Sequence, residues 1–300
     1  MPDGASDAVS TFVRDGVVVV EDALDPAWCD DVVERRLASI GVDPVDRATW
    51  RTGWHNLPPS TVYRLEEVAP RATDVLHALV GGADAIEFGG LPDNLIVNFP
   101  DPGATWWPPD RWDAPGAGWH KDGDWFRHFL DSPEQGILGI AFWGDVTEQQ
   151  GPTYVVADSI APVARLLAGH PEGIDPPVPI DDVVAAGRDF RAVTGRKGTI
   201  VWAHPYLVHS ASVNGTDDLR IISNSTVVLR APLRFSGPGP RTPVEQVVLD
   251  ALGVDELDYR ARGERVRIVP ECEQRWREEL ARERHSPGRR ARAGPGSRRA

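Results

Sequence analysis

Apolar residues in the first third of the chain recur at helical spacing. The spacing predicts three helices, over 5–14, 25–39 and about 70–80. The second begins with Asp25-Pro26, a capping residue followed by proline in the first turn. Between the first two helices, the VVVV run at 17–20 has the texture of a buried strand. We therefore expect helices packed against one face of a sheet in this part of the chain.

From Leu95 onward the pattern changes to short β-type runs separated by Gly, Pro and Asp. Six such runs are 95–99, 137–143, 153–156, 190–193, 199–202 and 220–229. With one run around His120 and another around His209, about eight strands are predicted. Eight short strands without alternating helices are typical of a double-sheet jelly roll, also called a double-stranded β-helix. Peripheral helices are predicted over 157–168, 242–252 and 271–283.

These patterns predict one domain over residues 1–281. We expect a helical part over about 1–90, a jelly-roll core over about 91–230 and C-terminal helices over about 240–281. Residues 282–300 are rich in Arg, Gly, Pro and Ser and have little apolar surface to bury, so a disordered basic tail is predicted there.

The charge of the chain limits its partners. The formal net charge is −13, and the tail holds seven arginines and one glutamate, a net +6, so the body carries −19. Such a body repels polyphosphate, which argues against nucleic acid as a partner. The absence of a long apolar stretch in the sequence argues against a signal peptide and a membrane span. Two widely separated cysteines, Cys29 and Cys272, fit reduced thiols in a cytoplasm.

His120 and Asp122, in GWHKDGDW, form a His-x-Asp pair. On an extended segment residues i and i+2 point to the same face, so one metal ion could take both side chains. Taken alone the pair is not specific: eight histidines and an aspartate frequency near one in ten give about 0.8 matches by chance. A structural histidine is the alternative at this stage.

A second element, HPYLVHSASVNGTDDLR, places Arg220 eleven residues after His209 at the start of a β-branched strand. His209 would complete a 2-His-1-carboxylate triad, whose open positions suit an iron(II) oxygenase. A guanidinium is the best anchor for the far carboxylate of 2-oxoglutarate, because its planar fork makes two parallel charge-assisted hydrogen bonds.

With these motifs in order, the sequence resembles the phytanoyl-CoA dioxygenase family of iron(II)/2-oxoglutarate oxygenases. The resemblance runs from FVRDGVVVVEDAL at 12–24 to about residue 230. Its specific parts are WHKD at 119–122, GPTYVVADS at 151–159 and VWAHPYLVHSASVNGTDDLR at 201–220. One departure is Ile222, where many relatives in the wider superfamily have Ser or Thr two residues after the arginine.

The resemblance implies Fe(II), 2-oxoglutarate and O₂ as the cofactor and cosubstrates. It implies iron ligation by His120, Asp122 and His209 and 2-oxoglutarate anchoring by Arg220. Thr153 and Asn98 look like further cosubstrate contacts. Trp202 is interpreted as a residue packed against the cosubstrate chain or, alternatively, as a plain core tryptophan.

The remaining candidates concern the substrate. His204 competes with His209 for the ligand role, but the spacing to Arg220 favours His209, which leaves His204 near the substrate or in the structure of the core. Trp106 and Trp107 lie in the Pro-rich loop FPDPGATWWPPDRWDAPGAG, where a lid or pocket wall is expected. Trp119, beside the metal motif, is interpreted as a pocket residue or as core.

The expected function is hydroxylation of a small molecule with release of succinate and CO₂. Two alternatives stay open: a non-oxidative zinc or manganese enzyme on the same jelly roll, and a catalytically silent binding module. The acidic body and only two lysines make a coenzyme A thioester a less favoured substrate than a small natural-product intermediate. Asp122 favours hydroxylation over halogenation, because related halogenases have Gly or Ala at that position.

Overall fold

In the computed structural model, residues 3–101, 103–114 and 116–270 are described. Their strands are β1 (Val17–Val20), β2 (Trp54–Asn56), β3 (Val62–Tyr63), β4 (Ile86–Phe88), β5 (Leu91–Pro92), β6 (Ile96–Asn98), β7 (Ile137–Phe142), β8 (Thr153–Val156), β9 (Phe190–Val193), β10 (Ile200–Ala203), β11 (Val208–Ser210) and β12 (Arg220–Leu229). Their α-helices are α1 (Asp3–Asp15), α2 (Pro26–Ala38), α3 (Leu65–Val68), α4 (Pro70–Val80), α5 (Ile160–Ala168), α6 (Asp181–Ala186) and α7 (Pro243–Leu252).

The larger sheet is antiparallel and has the order β1-β10-β7-β12-β6-β2, with β4 also paired to β12. Strand β12 is the longest of these strands and lies between β7 and β6. Its register places Arg220 opposite Asn98. Directly opposed residues in antiparallel strands point to the same face, so these two side chains lie together inside the fold.

The smaller sheet has the order β11-β8-β9 and faces the larger one. An isolated bridge joins His120 to His209, with His120 N donating to His209 O at 2.9 Å and His209 N to His120 O at 3.0 Å. This bridge adds the metal motif to the edge of the smaller sheet. Thr153 of the smaller sheet and Val201 of the larger one line the same internal cavity. The fold is thus the predicted double-stranded β-helix, with antiparallel sheets and flanking helices.

Helices cover the outer face of the larger sheet. Trp202 of β10 reaches them: its indole N–H donates to Ala72 O of α4 at 2.9 Å. Helix α1 packs against β1, α4 and α7, and α5 packs against α7. Capping residues mark the starts of two of these helices. Asp25 accepts backbone hydrogen bonds at the start of α2, and Thr242 and Glu245 form a capping box on α7.

The leading third of the chain is less purely helical than predicted. Besides the predicted strand β1, residues 1–90 supply β2 and β4 to the larger sheet, because these short segments pair with strands that are distant in sequence. Around His120 the predicted strand is reduced to a single bridge. The predicted helix at 271–283 and the predicted tail at 282–300 lie outside the described residues. No helix in the described part of the chain is long and apolar enough to cross a membrane.

Candidate functional site

The three predicted metal ligands lie together at the edge of the smaller sheet. Asp122 Oδ1 is 3.3 Å from His120 Nε2 and 3.5 Å from His209 Nε2. All three ligand atoms lie within 4.8 Å of one another. His120 and Asp122 share a face because they are two residues apart, and the backbone bridge brings His209 beside them. The tertiary pairing therefore assembles a triad from two distant segments.

Backbone carbonyls orient both imidazole rings. His120 Nδ1 lies 2.7 Å from Gly118 O, and His209 Nδ1 lies 3.0 Å from Leu207 O. A carbonyl can only accept, so each Nδ1 carries the proton and each Nε2 presents a lone pair. His209 Nε2 is buried without a hydrogen-bond partner among the described residues. A buried, unpartnered nitrogen beside a carboxylate fits a bound cation.

The electrostatics of the triad point the same way. Burial by itself raises the pKa of the Asp122 carboxyl, whereas positive charge on His209 and His120 holds that pKa well below its usual value. With both Nε2 atoms unprotonated, a bound cation would supply that charge. Asp122 is therefore a carboxylate that favours positive charge next to it. Two imidazole nitrogens and one carboxylate oxygen within 4.8 Å of one another match the donor set of non-haem iron(II) oxygenases.

Lys121, between the two metal ligands, points away from them into a buried polar network that sequence reasoning missed. Its ammonium donates to Asp122 O at 3.0 Å, to His128 Nδ1 at 3.1 Å and to Gln135 Oε1 at 3.4 Å. His128 accepts at Nδ1 because its Nε2–H donates to Gly123 O at 2.7 Å. Burial lowers the pKa of both Lys121 and His128. The network fixes the backbone of the metal motif from behind.

Arg220 forms the second charged part of the site. Its side chain is only 1% exposed, and burial lowers its pKa to about 10. Nε donates to Gly151 O at 2.7 Å, whereas Nη1 is buried without a partner among the described residues. Leaving a buried charged donor unsatisfied is costly, so this guanidinium fits an anionic ligand. Ile222 offers no hydroxyl to share that ligand.

The structure brings Asn98 to Arg220 as well. Asn98 lies opposite Arg220 in the sheet, and its Nδ2 donates to Ser212 O at 3.0 Å. A Cβ at Gly151 would come within 2.3 Å of Asn98 Nδ2, and the φ of Gly151 is +73°. Only glycine fits there, because a side chain would push the Asn98 amide away from its place. Thr153 faces the internal cavity that His209 also lines.

Trp202 and His204 lie elsewhere. Val201 and Ala203 face the internal cavity, so Trp202 between them points to the opposite face and packs under α4. It is the core tryptophan of the two alternatives, not a cosubstrate contact. His204 is fully buried, with its ring against Phe12 and Tyr206 and its Nδ1 accepting from Tyr206 N at 3.2 Å. Burial lowers its pKa to about 3, so it is a neutral core histidine away from the substrate.

The tryptophan loop covers the outside of the smaller sheet. Trp107 is buried against Tyr154 at 4.8 Å between ring centroids, and the Tyr154 hydroxyl donates to Trp107 O at 2.7 Å. Tyr154 faces away from Thr153, so this contact is on the outer face. The Trp106 indole donates to Glu148 O, and the Trp119 indole donates to Trp112 O. These three residues are not among those that line the cleft over the metal site, which corrects the pocket-wall expectation.

A cleft of about 600 Å³ opens beside His120 and Asp122. His120 and Asp122 lie on its floor, and its walls come from two apolar segments, Pro176-Pro177 and Ile268-Val269-Pro270. Sequence reasoning assigned no role to either segment. The available signal was compositional: each belongs to a short apolar run, 176–180 and 268–270. Nothing in the sequence alone indicated that they meet over His120.

Among curated protein sequences, none is significantly similar to this chain. Similar solved structures include three of low identity. They are the epimerase SnoN in complex with Fe³⁺, alpha ketoglutarate and nogalamycin RO (17% identity, TM-score 0.48, covering 76% of this chain and 84% of that one), the alpha-ketoglutarate-dependent carbocyclase SnoK from nogalamycin biosynthesis (17%, 0.45, 74% and 83%) and EctD from S. alaskensis in its apoform (18%, 0.43, 90% and 89%).

The family comparison is decisive. The model of the family described as phytanoyl-CoA dioxygenase (PhyH) matches residues 12–222, which is more than half of the chain and contains the whole triad and Arg220. The chain therefore belongs to the phytanoyl-CoA dioxygenase family and is an iron- and 2-oxoglutarate-dependent oxygenase.

Proposed function

We propose that this enzyme hydroxylates an unactivated C–H bond of a small organic molecule and releases succinate and CO₂. In this proposal His120, Asp122 and His209 hold iron(II), and Arg220 anchors 2-oxoglutarate. The observation that carries it is the meeting of the three ligand atoms within 4.8 Å, two of them on residues that line a cleft. A buried guanidinium with a free donor lies deeper in the same fold.

The residues of the chain have separate tasks. The two imidazoles and the Asp122 carboxylate hold the metal on one face, which leaves the other face for 2-oxoglutarate and O₂. When bound, iron(II) and 2-oxoglutarate supply the oxidising chemistry, in which the decarboxylation of 2-oxoglutarate accompanies the activation of O₂. Arg220 takes the far carboxylate in a water-excluded place, where a charge-assisted hydrogen bond is strongest.

Hydroxylation is favoured over halogenation by Asp122. A carboxylate takes the position that is Gly or Ala in related halogenases, and its negative charge opposes a halide on the same ion. For the substrate, we propose a small secondary-metabolite intermediate. The strongly acidic chain, with two lysines in all, is poorly suited to the phosphates of coenzyme A. Residues 1–281 are proposed to form a single catalytic domain.

The test is anaerobic titration of the full-length protein with iron(II) and 2-oxoglutarate. We expect a weak metal-to-ligand charge-transfer band in the green for the wild type and no band for His209→Ala. In Arg220→Leu the same band should require much more 2-oxoglutarate. Zinc replacing iron in the wild type serves as the spectroscopic blank. A wild-type protein that binds iron but shows neither the band nor succinate formation in air would overturn the proposal.

A further inference from the structure

We infer that residues 264–270, which we call the C-terminal strap, select the substrate of this enzyme, and that the substrate has an apolar body without an anionic group. The inference rests on the proposed function, because it places the substrate over the metal. It concerns a part of the chain that lies after the family-matched residues 12–222. The family pattern therefore does not account for this wall of the cleft.

The strap is tied directly to the segment that follows the metal motif. Arg127 N donates to Val266 O at 3.1 Å, and Ile268 N donates to Trp125 O at 2.8 Å. These bonds flank an antiparallel bridge between Phe126 and Arg267. Because Trp125 lies only three residues after Asp122, the pairing places the end of the strap over the metal ligands. Backbone pairing thus holds the strap in place as one wall of the site.

A partly buried ion pair fixes the start of the strap. Arg265 Nη2 lies 2.6 Å from Asp131 Oδ1, and the guanidinium stacks over the Phe129 ring at 4.9 Å. Both side chains of the ion pair are largely buried, so solvent screens the pair less than it would a surface pair. The wall is therefore held in place before any substrate arrives, which lowers the ordering cost of binding.

The opposite wall is anchored to the same segment. His128 and Ile174 exchange backbone hydrogen bonds at 2.8 and 2.9 Å, and Arg127 pairs with Asp175 at 2.6 Å. Asp175 immediately precedes Pro176-Pro177, which face the strap across the cleft. Both walls are thus attached by backbone hydrogen bonds to residues 125–128. Their spacing is fixed relative to the metal ligands, as a site that positions one C–H bond requires.

The chemistry of the lining indicates the chemistry of the ligand. The two walls contribute prolines, an isoleucine and a valine, none of which offers a side-chain hydrogen bond or a positive charge. Of the lining residues within the described part of the chain, Asp122 and Asp124 are acidic, and Lys121 is the one lysine or arginine. The Lys121 ammonium is turned into its own network of three acceptors. A carboxylate or phosphate on the substrate would find no counter-ion from these residues, whereas an apolar neutral or cationic molecule fits them.

The experiment uses the full-length holoenzyme, without oxygen, after iron(II) and 2-oxoglutarate have been added. The probes are adamantane-1-methanol, adamantane-1-methylamine and adamantane-1-acetate, which share one apolar body and differ in charge. Binding is measured as the change of the charge-transfer band with probe concentration. The variants are Ile268→Asp, Ile268→Ala and, as a matched control, Val254→Asp at an exposed valine outside the strap.

We expect the alcohol and the amine to bind at least about tenfold more tightly than the carboxylate, because like charge disfavours the last. Ile268→Asp should weaken binding of the alcohol by about tenfold or more, Ile268→Ala by less, and Val254→Asp not at all. Preferred binding of the carboxylate, no binding of any probe at millimolar concentration, or equal affinities in wild type and Ile268→Asp would overturn the inference. The charge-transfer band before probe addition reports the proposed function separately.

Discussion

The two charged parts of the site differ in their contact with water. His120 at the metal end has a half-exposed side chain on the floor of an open cleft. Arg220 at the other end is almost completely buried, and one of its donors has no partner among the described residues. At the metal end, backbone carbonyls orient both imidazole rings and leave their Nε2 atoms facing the carboxylate. At the arginine end, the unpartnered Nη1 donor of Arg220 obtains a hydrogen bond only when an anionic ligand binds.

This difference indicates how the site is assembled. The triad is largely preorganised, because its rings are fixed by Gly118 and Leu207 before metal arrives. The guanidinium is preorganised too, by Gly151 and the sheet register, but its burial is unfavourable until an anion compensates it. The site thus has two parts. The solvent-facing edge binds a cation, and the dry interior binds an anion.

The largest expected effect separates a metal ligand from a core histidine. His209→Ala should abolish iron-dependent succinate formation, because it removes one of three ligand atoms. His204→Ala should retain measurable succinate formation and stoichiometric iron, although the protein should be less stable, because it leaves a space between Phe12 and Tyr206. Iron analysis and succinate assays on both variants make the comparison. The reverse ranking would contradict the assignment of the triad.

Arg220→Leu tests the buried end alone. The apparent Michaelis constant for 2-oxoglutarate should rise by tens-fold or more, since loss of a charged hydrogen-bonding contact in a closed site costs about 2–3 kcal/mol. Iron affinity should change little, because Arg220 is not among the ligands. Arg230→Leu is the matched control: that arginine directly follows the same strand and is exposed. Unchanged dependence on 2-oxoglutarate in Arg220→Leu would exclude the anchoring role.

Acid should lower the free energy of unfolding mainly through a buried histidine, His204. Burial lowers the pKa of His204 to about 3, below the ordinary histidine value of about 6.5. The unfolded chain then binds a proton that the folded chain does not, so stability falls as pH falls below about 6.5. From pH 7 to pH 5 this one group should cost about 2 kcal/mol of unfolding free energy.

Denaturant unfolding at the two pH values measures this effect. His204→Phe should be less sensitive to acid than the wild type by that amount. His170→Gln, which replaces an exposed histidine, serves as the control. This variant should lose as much stability in acid as the wild type does. An equal loss of stability in wild type and His204→Phe would show that His204 is not held neutral.

The smallest effect concerns the support behind the triad. Lys121→Met keeps the length of the side chain but removes the donor to Asp122 O, His128 and Gln135. Iron affinity should fall about tenfold, the lower range for loss of a residue that orients metal ligands. Lys197→Met is the control at the other lysine of the chain, which pairs with Asp30 at the surface. Metal titration with equal affinities in both variants would exclude the positioning role of Lys121.

Several elements and part of the site could be predicted because their signals are local. Strands Val17–Val20, Thr153–Val156 and Arg220–Leu229 have the predicted bounds, since β-branched runs between breakers define them. The pairing of His120 with Asp122 on one face followed from their separation of two residues. The short strands Trp54–Asn56 and Ile86–Phe88 were missed, because three-residue segments become strands only through partners elsewhere in the sheet.

The tryptophans show that proximity to the metal motif in sequence does not predict proximity to the metal site in the fold. Trp106, Trp107 and Trp119 are close to the metal motif in sequence, yet they cover the outer face of the smaller sheet. Trp202 and His204 are near His209, but strand alternation and burial direct them into the core. Ile268, far from the motif in sequence, is a wall of the cleft. Proximity in sequence predicted none of these placements.

The sequence by itself determined the donor types, their spacing and the strand pattern, and hence the family, the metal chemistry and the double-stranded β-helix. Those properties depend on local geometry and on residue chemistry, both of which can be read along the chain. Only the tertiary structure decided that Trp202 and His204 are core residues, that Lys121 supports the triad from behind and that the strap lines the cleft. Each of these depends on which distant segments pack together, because a side chain's role follows from the partners and the burial that the packing gives it.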